Sequence, residues 1–97
     1  MLTEAITRHC KKHKYSDSYR DYWIAHQLCE ICDYFADPPH HIRTRGAGGS
    51  DEASNLLSLC TAHHREAHTI GMLTFGEKYL DMREKIYRAL ELELPEW

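Results

Sequence analysis

Two pairs of metal-binding side chains constrain this sequence more than any other feature. Cys29 and Cys32 form the first pair, Cys60 and His63 form the second, and 27 residues separate the two pairs. Two residues between the ligands let a tight turn direct both side chains at one tetrahedral ion. Three thiolates and one imidazole suit Zn²⁺, so the pattern predicts a structural zinc site that joins the two ends of the intervening segment.

A structural metal suits a chain of 97 residues. We expect a single domain over residues 1–97, and a domain of this size buries only ~60–65% of its unfolded surface. The alternative for the cysteines is that they are small buried hydrophobic residues. We favour that interpretation for Cys10, which has no partner at ligand spacing.

The composition, with 42% hydrophobic and 28% charged residues, is that of an ordinary globular protein. No apolar run approaches the length of a membrane span, so no membrane partner is expected. Thr3, Glu4 and Thr7 interrupt the first residues, which therefore lack the pattern of a secretory signal. The expected location is the cytoplasm, where a reducing environment disfavours disulfides.

The N-terminal segment, residues 1–28, is predicted to be an arm followed by a short helix. Ser16 or Ser18 can cap this helix. Four side chains at helical spacing are expected to form its core-facing stripe: Tyr19, Tyr22, Trp23 and His26. Residues 8–20 are the only concentrated basic stretch, and two interpretations stay open for them: a solvated face and a phosphate-contacting surface.

The central segment, residues 29–70, is predicted to form a strand, a long loop, a second strand and a helix. The first strand lies around His41 and Ile42, and the second covers residues 56–59. The helix follows directly and ends at Gly71, a residue suited to a helix C-cap.

The C-terminal segment, residues 71–97, is predicted to be one helix. Thr74 and Glu77 fit a capping box at its start. Its apolar stripe is expected to face the core: Phe75, Tyr79, Met82, Ile86 and Leu90. The expected fold class is therefore α+β, a small and mostly helical domain around a hairpin and helix that carry a structural zinc site.

Several histidines remain after His63 is assigned to zinc. Each residue turns a helix by ~100°, so His64 and His68 should share one face while His63 points away from them. Polar side chains on the hairpin and on this second face of the helix are left for another site: His40, His41, Asn55, His64 and His68.

The stretch HHIRTRGAGGSDEASNLLSLCTAHHREAH resembles the ββα-metal motif of HNH endonucleases. A histidine pair ends the first strand, an asparagine precedes the second, and a histidine lies on the helix. The further histidine four residues later is similar to the colicin-type DNase form of the motif, in which histidines hold the metal. The two ligand pairs resemble those of zinc-stabilised HNH proteins, so the resemblance covers residues 29–70 and implies an HNH nuclease domain.

The resemblance implies a role for each of these residues. His41 would be the general base that activates water for attack on a phosphodiester. His40, His64 and His68 would hold one divalent cation that stabilises the departing 3′ oxygen. Asn55 would tie the loop together and so orient His41. Together with His41 and Asn55, His64 completes the implied catalytic set.

The metal preference follows from the ligands. Three imidazoles favour Mn²⁺, Co²⁺ or Ni²⁺, whereas Mg²⁺ prefers oxygen ligands. Many HNH proteins have Asp at the position of His40, so the preferred catalytic metal can differ here. Arg43 and Arg45 lie close enough in sequence to contact phosphate, and a role on the exposed surface is equally open for each.

The resemblance thus implies a metal-dependent HNH endonuclease that acts on DNA and leaves a 5′ phosphate and a 3′ hydroxyl, as the family does. A monomer has one site and should nick one strand, whereas a dimer could cut both. The net charge of -3 argues mildly against a nucleic-acid partner, but a bound dication adds positive charge where DNA would dock. The alternative is a non-catalytic zinc module that binds DNA or protein.

Overall fold

A computed structural model describes residues 3–96. Within this range the chain forms five α-helices and one antiparallel hairpin: α1 (Thr3–Lys12), α2 (Asp17–Ala25), β1 (His40–His41), β2 (Leu56–Leu57), α3 (Thr61–Ile70), α4 (Met72–Lys78) and α5 (Arg83–Ala89). The predicted fold class is confirmed, since the domain is small, mostly helical and built around a two-stranded hairpin. None of the described helices is long and apolar enough to cross a membrane.

The hairpin lies between two helical layers. His40 pairs with Leu57 and His41 pairs with Leu56. Because successive side chains of a strand point to opposite faces, Leu56 packs in a core with α1 and α2, while Leu57 packs in a second core with α3, α4 and α5. The same alternation directs His40 toward the α3 side and His41 toward the α2 side.

The N-terminal layer is more ordered than the predicted arm, because residues 3–12 form α1. Ser16, and not Ser18, caps α2, and its side chain accepts a hydrogen bond from the Tyr19 backbone N–H at 3.3 Å. His26 is exposed beyond the end of α2, so it does not belong to the predicted stripe. The core of this layer contains the three aromatic residues of the stripe and two residues of α1: Tyr19, Tyr22, Trp23, Ile6 and Cys10.

The first strand lies one residue earlier than predicted, and the second strand is shorter than predicted. β2 ends at Leu57, two residues early, because the next two carbonyls bond to another segment. Ser58 O accepts from Glu30 N–H at 2.9 Å, and Leu59 O accepts from Asp37 N–H at 2.8 Å. These bonds attach the start of the chain's central segment to the end of the hairpin.

The C-terminal segment is not the single helix that was predicted. Gly71, with a φ of 84°, ends α3 as expected and also begins α4, so Thr74 lies inside α4 and does not cap it. The chain then turns through Leu80–Met82 before α5. Eleven residues of straight helix would separate Phe75 from Ile86 by ~16 Å, whereas the turn lets both side chains enter the core beside Leu57.

Candidate metal centres

Cys29, Cys32, Cys60 and His63 converge as the spacing predicted, and we call this group the zinc cluster. Their ligand atoms all lie within 4.8 Å of one another. The Sγ atoms of Cys32 and Cys60 are 3.7 Å apart, and His63 Nδ1 is 3.2 Å from Cys60 Sγ. Tetrahedral Zn–S bonds of ~2.3 Å would place two sulfurs about 3.8 Å apart. The donor set and its geometry therefore fit Zn²⁺.

The first ligand pair lies on a tight turn closed by backbone hydrogen bonds. Leu28 and Phe35 form an antiparallel bridge across the turn. Cys29 N–H donates to Tyr34 O at 2.6 Å, and Asp33 N–H donates to Cys29 O at 3.0 Å. These bonds hold the backbone in the compact form that lets two side chains two residues apart reach one ion.

The second ligand pair lies at the start of α3. Cys60 is the N-cap residue, and the backbone N–H of His63 in the first turn lowers the pKa of the Cys60 thiol to about 7. A thiolate is the form that binds a metal. The ring of Tyr79 packs edge-on against His63 at 5.5 Å, and its hydroxyl donates to Glu66 of α3. Tyr79, the residue that follows α4, thus restrains the imidazole ligand.

His40, His64 and His68 form a second group, which we call the three-histidine cluster. Their ligand nitrogens lie within 4.8 Å of one another. The ring centroids form a near-equilateral triangle with sides of 5.0 Å (His40 to His64), 4.8 Å (His40 to His68) and 4.9 Å (His64 to His68). His64 and His68 are one turn apart on α3, and β1 brings His40 to them. One divalent cation could be held here with coordination positions left for other ligands.

The surroundings of this cluster favour neutral, oriented imidazoles. Burial, aided by the neighbouring His64 and His68, lowers the pKa of His40 to about 4. His40 is therefore uncharged at neutral pH, as metal binding requires. Asp37 accepts a hydrogen bond from His64 Nδ1 at 3.2 Å and another from Thr61 Oγ1 at 2.7 Å. This leaves His64 Nε2 for a metal and fixes the ring, a role that no spacing rule assigned to Asp37.

His41 lies beside the three-histidine cluster without joining it. All four histidines line one cavity of about 380 Å³, together with Tyr15, Tyr19 and Arg45. Nε2 of His41 is 2.8 Å from Oδ1 of Asp51. The structure therefore places a histidine that could accept a proton next to a group that could hold a metal.

Asn55 is 4% exposed and uses its side chain to close the loop between the strands. Its Oδ1 accepts from Arg43 N–H at 2.8 Å, while Nδ2 donates to Arg43 O at 2.9 Å and to Ser50 O at 2.8 Å. A Cβ on Gly49 would lie 1.8 Å from Arg43 O, so only glycine fits this crossing. Asn55 ties the loop together, and the carboxylate that forms a hydrogen bond with the His41 ring belongs to Asp51, which the sequence patterns did not identify.

Arg43 and Arg45 have different surroundings, although the sequence left the same two possible roles open for both. Arg43 forms an ion pair with Glu91 at 3.1 Å, away from the histidines. Arg45 lines the cavity, and its guanidinium lies 5.3 Å from the centroid of the Tyr15 ring. Within residues 3–96, no carboxylate pairs with Arg45, so its charge is available to an anion in the cavity.

Comparison with known proteins gives one informative similarity. No family model matches the chain, and no solved structure matches it. Uncharacterized protein YdfU of Escherichia coli (strain K12) is 36% identical over 75 residues, which cover 74% of this chain and 21% of YdfU. The chain therefore spans about a fifth of the length of this relative, and the similarity indicates common ancestry without indicating an activity.

Proposed function

We propose that this protein is a metal-dependent HNH endonuclease that hydrolyses phosphodiester bonds in DNA. The observation that carries the proposal is the shared cavity, in which His41 lies beside the three-histidine cluster. Metal-assisted hydrolysis needs a cation at the phosphate and a separate base for the water, and this cavity offers residues for both. A module that only binds a partner needs neither.

Each group of side chains in the cavity would have its own role in the reaction. A divalent cation bound by the three-histidine cluster would supply positive charge to the phosphate and to the departing 3′ oxygen. Because Nε2 of His41 faces the Asp51 carboxylate, Nδ1 is the nitrogen whose lone pair can take a proton from water. Arg45 would donate hydrogen bonds to phosphate oxygens. The products would be a 5′ phosphate and a 3′ hydroxyl.

In this proposal the zinc cluster has a structural task. His63 binds in the zinc cluster, and the next residue, His64, belongs to the three-histidine cluster. Zinc would therefore fix the first turn of α3 against the turn that holds Cys29, and with it the position of His64 relative to β1. A shift of about 1 Å at such a site can reduce a rate ~10²-fold.

A plasmid-nicking assay tests the proposal. Zinc-loaded protein with added Mn²⁺ should convert supercoiled plasmid to nicked circles, because one site cuts one strand. We expect His41→Ala to lower the rate ~10² to 10⁴-fold while Mn²⁺ affinity, measured by calorimetry, is unchanged. His64→Ala should lose both rate and affinity, and His26→Ala, which lies outside both clusters, should match the wild type.

Two results would contradict the proposal. Folded protein that holds zinc and Mn²⁺ but leaves the plasmid supercoiled would instead support a non-catalytic zinc module. Loss of Mn²⁺ affinity in His41→Ala, to the extent seen in His64→Ala, would show that His41 is a ligand and not the base.

A further inference from the structure

We propose that Asp51 is a positioning residue for His41, and that it selects the ring nitrogen that accepts the proton. This inference rests on the proposed function, in which His41 is the general base. Asp51 contributes no group to the reacting atoms, and its effect would pass entirely through the imidazole of His41.

The contact between the two side chains is short and shielded from solvent. His41 Nε2 lies 2.8 Å from Asp51 Oδ1, and the side chains are only 13% and 16% exposed. An ionised carboxylate can only accept hydrogen bonds, so Nε2 must carry the hydrogen. The lone pair of a neutral His41 ring is therefore on Nδ1.

Asp51 is itself held in place from outside the hairpin. Its second oxygen, Oδ2, accepts a hydrogen bond from the backbone N–H of Ser16 at 3.2 Å, at the N-cap of α2. Burial alone would raise the pKa of the Asp51 carboxyl, but the hydrogen bonds from His41 and Ser16 outweigh it and hold that pKa below its usual value. Asp51 thus stays charged and links the loop between the strands to α2.

The face of the imidazole is fixed as well as its edge. The ring of Tyr19 stacks on His41 with centroids 5.4 Å apart and an interplanar angle of 15°. The Tyr19 hydroxyl donates to Pro39 O at 2.8 Å, one residue before β1. With Asp51 at the edge and Tyr19 on the face, His41 has little freedom to turn or to change tautomer. A base oriented by a third group is a recurring arrangement in hydrolytic sites.

Kinetics of three variants test this role. Asp51→Ala should lower kcat for plasmid nicking about 10 to 100-fold, the usual effect of losing an orienting partner, with KM and Mn²⁺ affinity unchanged. Asp51→Asn keeps an oxygen that can accept from Nε2–H and should recover part of kcat. Glu52→Ala is the matched control, because Glu52 accepts from Ser18 Oγ at 3.3 Å and makes no contact with His41.

A measurement without catalysis separates this inference from the proposed function. The ¹⁵N shifts of the imidazole, recorded on zinc-loaded protein without Mn²⁺, should show a single His41 tautomer with hydrogen on Nε2. Asp51→Ala should give a mixture of tautomers, and Asp51→Asn should keep the single form. If the wild type is active and Asp51→Ala keeps either the wild-type kcat or the single His41 tautomer, the proposed role of Asp51 is wrong. The proposed function would not be affected by that result. An inactive wild type with a single tautomer would contradict the proposed function.

Discussion

His63 and His64 are adjacent in the chain, but each serves a different cluster. His63 Nδ1 faces Cys60 Sγ at 3.2 Å, whereas His64 Nδ1 faces Asp37 Oδ2 at 3.2 Å. The ~100° that separates neighbouring residues of a helix accounts for this division. Substituting His64 should therefore disrupt the three-histidine cluster and leave the zinc ligands intact.

The partly buried imidazole of His40 is expected to make stability depend on pH. Below pH 6.5 the unfolded chain takes up a proton at His40 that the folded chain does not accept until its pKa of about 4. Stability should therefore fall as the pH is lowered from 6.5 to 4. After discounting for the partial exposure of His40, the expected loss of unfolding free energy is on the order of 1–2 kcal/mol.

Urea unfolding of protein that carries one equivalent of zinc measures this loss, with His40→Asn as the control. The variant lacks the titrating group, so its stability should decline less than that of the wild type across this pH window. Parallel pH profiles for the two proteins would contradict the assignment to His40.

The sequence predicted the metal ligands residue by residue, but it did not predict the carboxylates that orient the histidines. The zinc cluster follows from local spacing, and His64 with His68 follows from helix periodicity. Asp37 and Asp51 reach their histidines through loops that have no periodicity. No local rule identifies such a carboxylate, because its partner depends on how the loop folds.

The zinc cluster joins the turn at Cys29 to the first turn of α3. Binding of zinc to such a site can contribute ~10 kcal/mol or more to folding. Cys29→Ser or Cys60→Ser should therefore unfold the domain and abolish its zinc content. Thermal melting with elemental analysis checks both, and Cys10→Ser is the control that should keep one zinc, because Cys10 lies in the N-terminal core. Wild-type melting and zinc content in Cys60→Ser would contradict the assignment.

The elements also show where local sequence patterns fail. Gly71 was identified correctly as a helix end, and Ser16 was one of the two serines predicted to cap α2, because such residues supply their own local chemistry. Thr74 and Glu77 have the capping-box spacing, but α4 begins earlier, at Met72. Packing of Phe75 and Ile86 on the same core decided where the C-terminal segment breaks, and that core includes residues far away in sequence.

Charge is distributed unevenly along the chain, whose net charge is -3. Several acid–base pairs occupy the C-terminal half, such as Lys78 with Glu66 and Arg88 with Glu84. By contrast, four cations on the second half of α1 and just beyond it have no carboxylate partner in the described part of the chain: Arg8, Lys11, Lys12 and Lys14. We expect these unpaired charges to contact DNA phosphates.

Salt dependence of binding tests this expectation. The logarithm of the association constant for a fluorescent DNA duplex should fall linearly with the logarithm of salt concentration. The slope of this line should be about -0.9 for each phosphate contact. Replacing Lys11 and Lys12 by Gln should make that slope shallower, measured by anisotropy without added Mn²⁺. Lys78→Gln, which removes an ion-paired lysine, is the control. An equal slope in all three proteins would show that α1 does not contact the phosphates.

The most direct test of a catalytic cation is to titrate a second metal into zinc-loaded protein while plasmid nicking is recorded. We predict that nicking rises to a plateau at about one equivalent of Mn²⁺ beyond the zinc. Imidazoles bind Mn²⁺, Co²⁺ and Ni²⁺ better than Mg²⁺, so the plateau rate with each of these three metals should be higher than the rate with Mg²⁺. His40→Asp supplies an oxygen ligand and should reduce this difference in rate. Nicking at full rate without a second metal, or equal or faster nicking in Mg²⁺, would contradict a catalytic cation held by His40, His64 and His68.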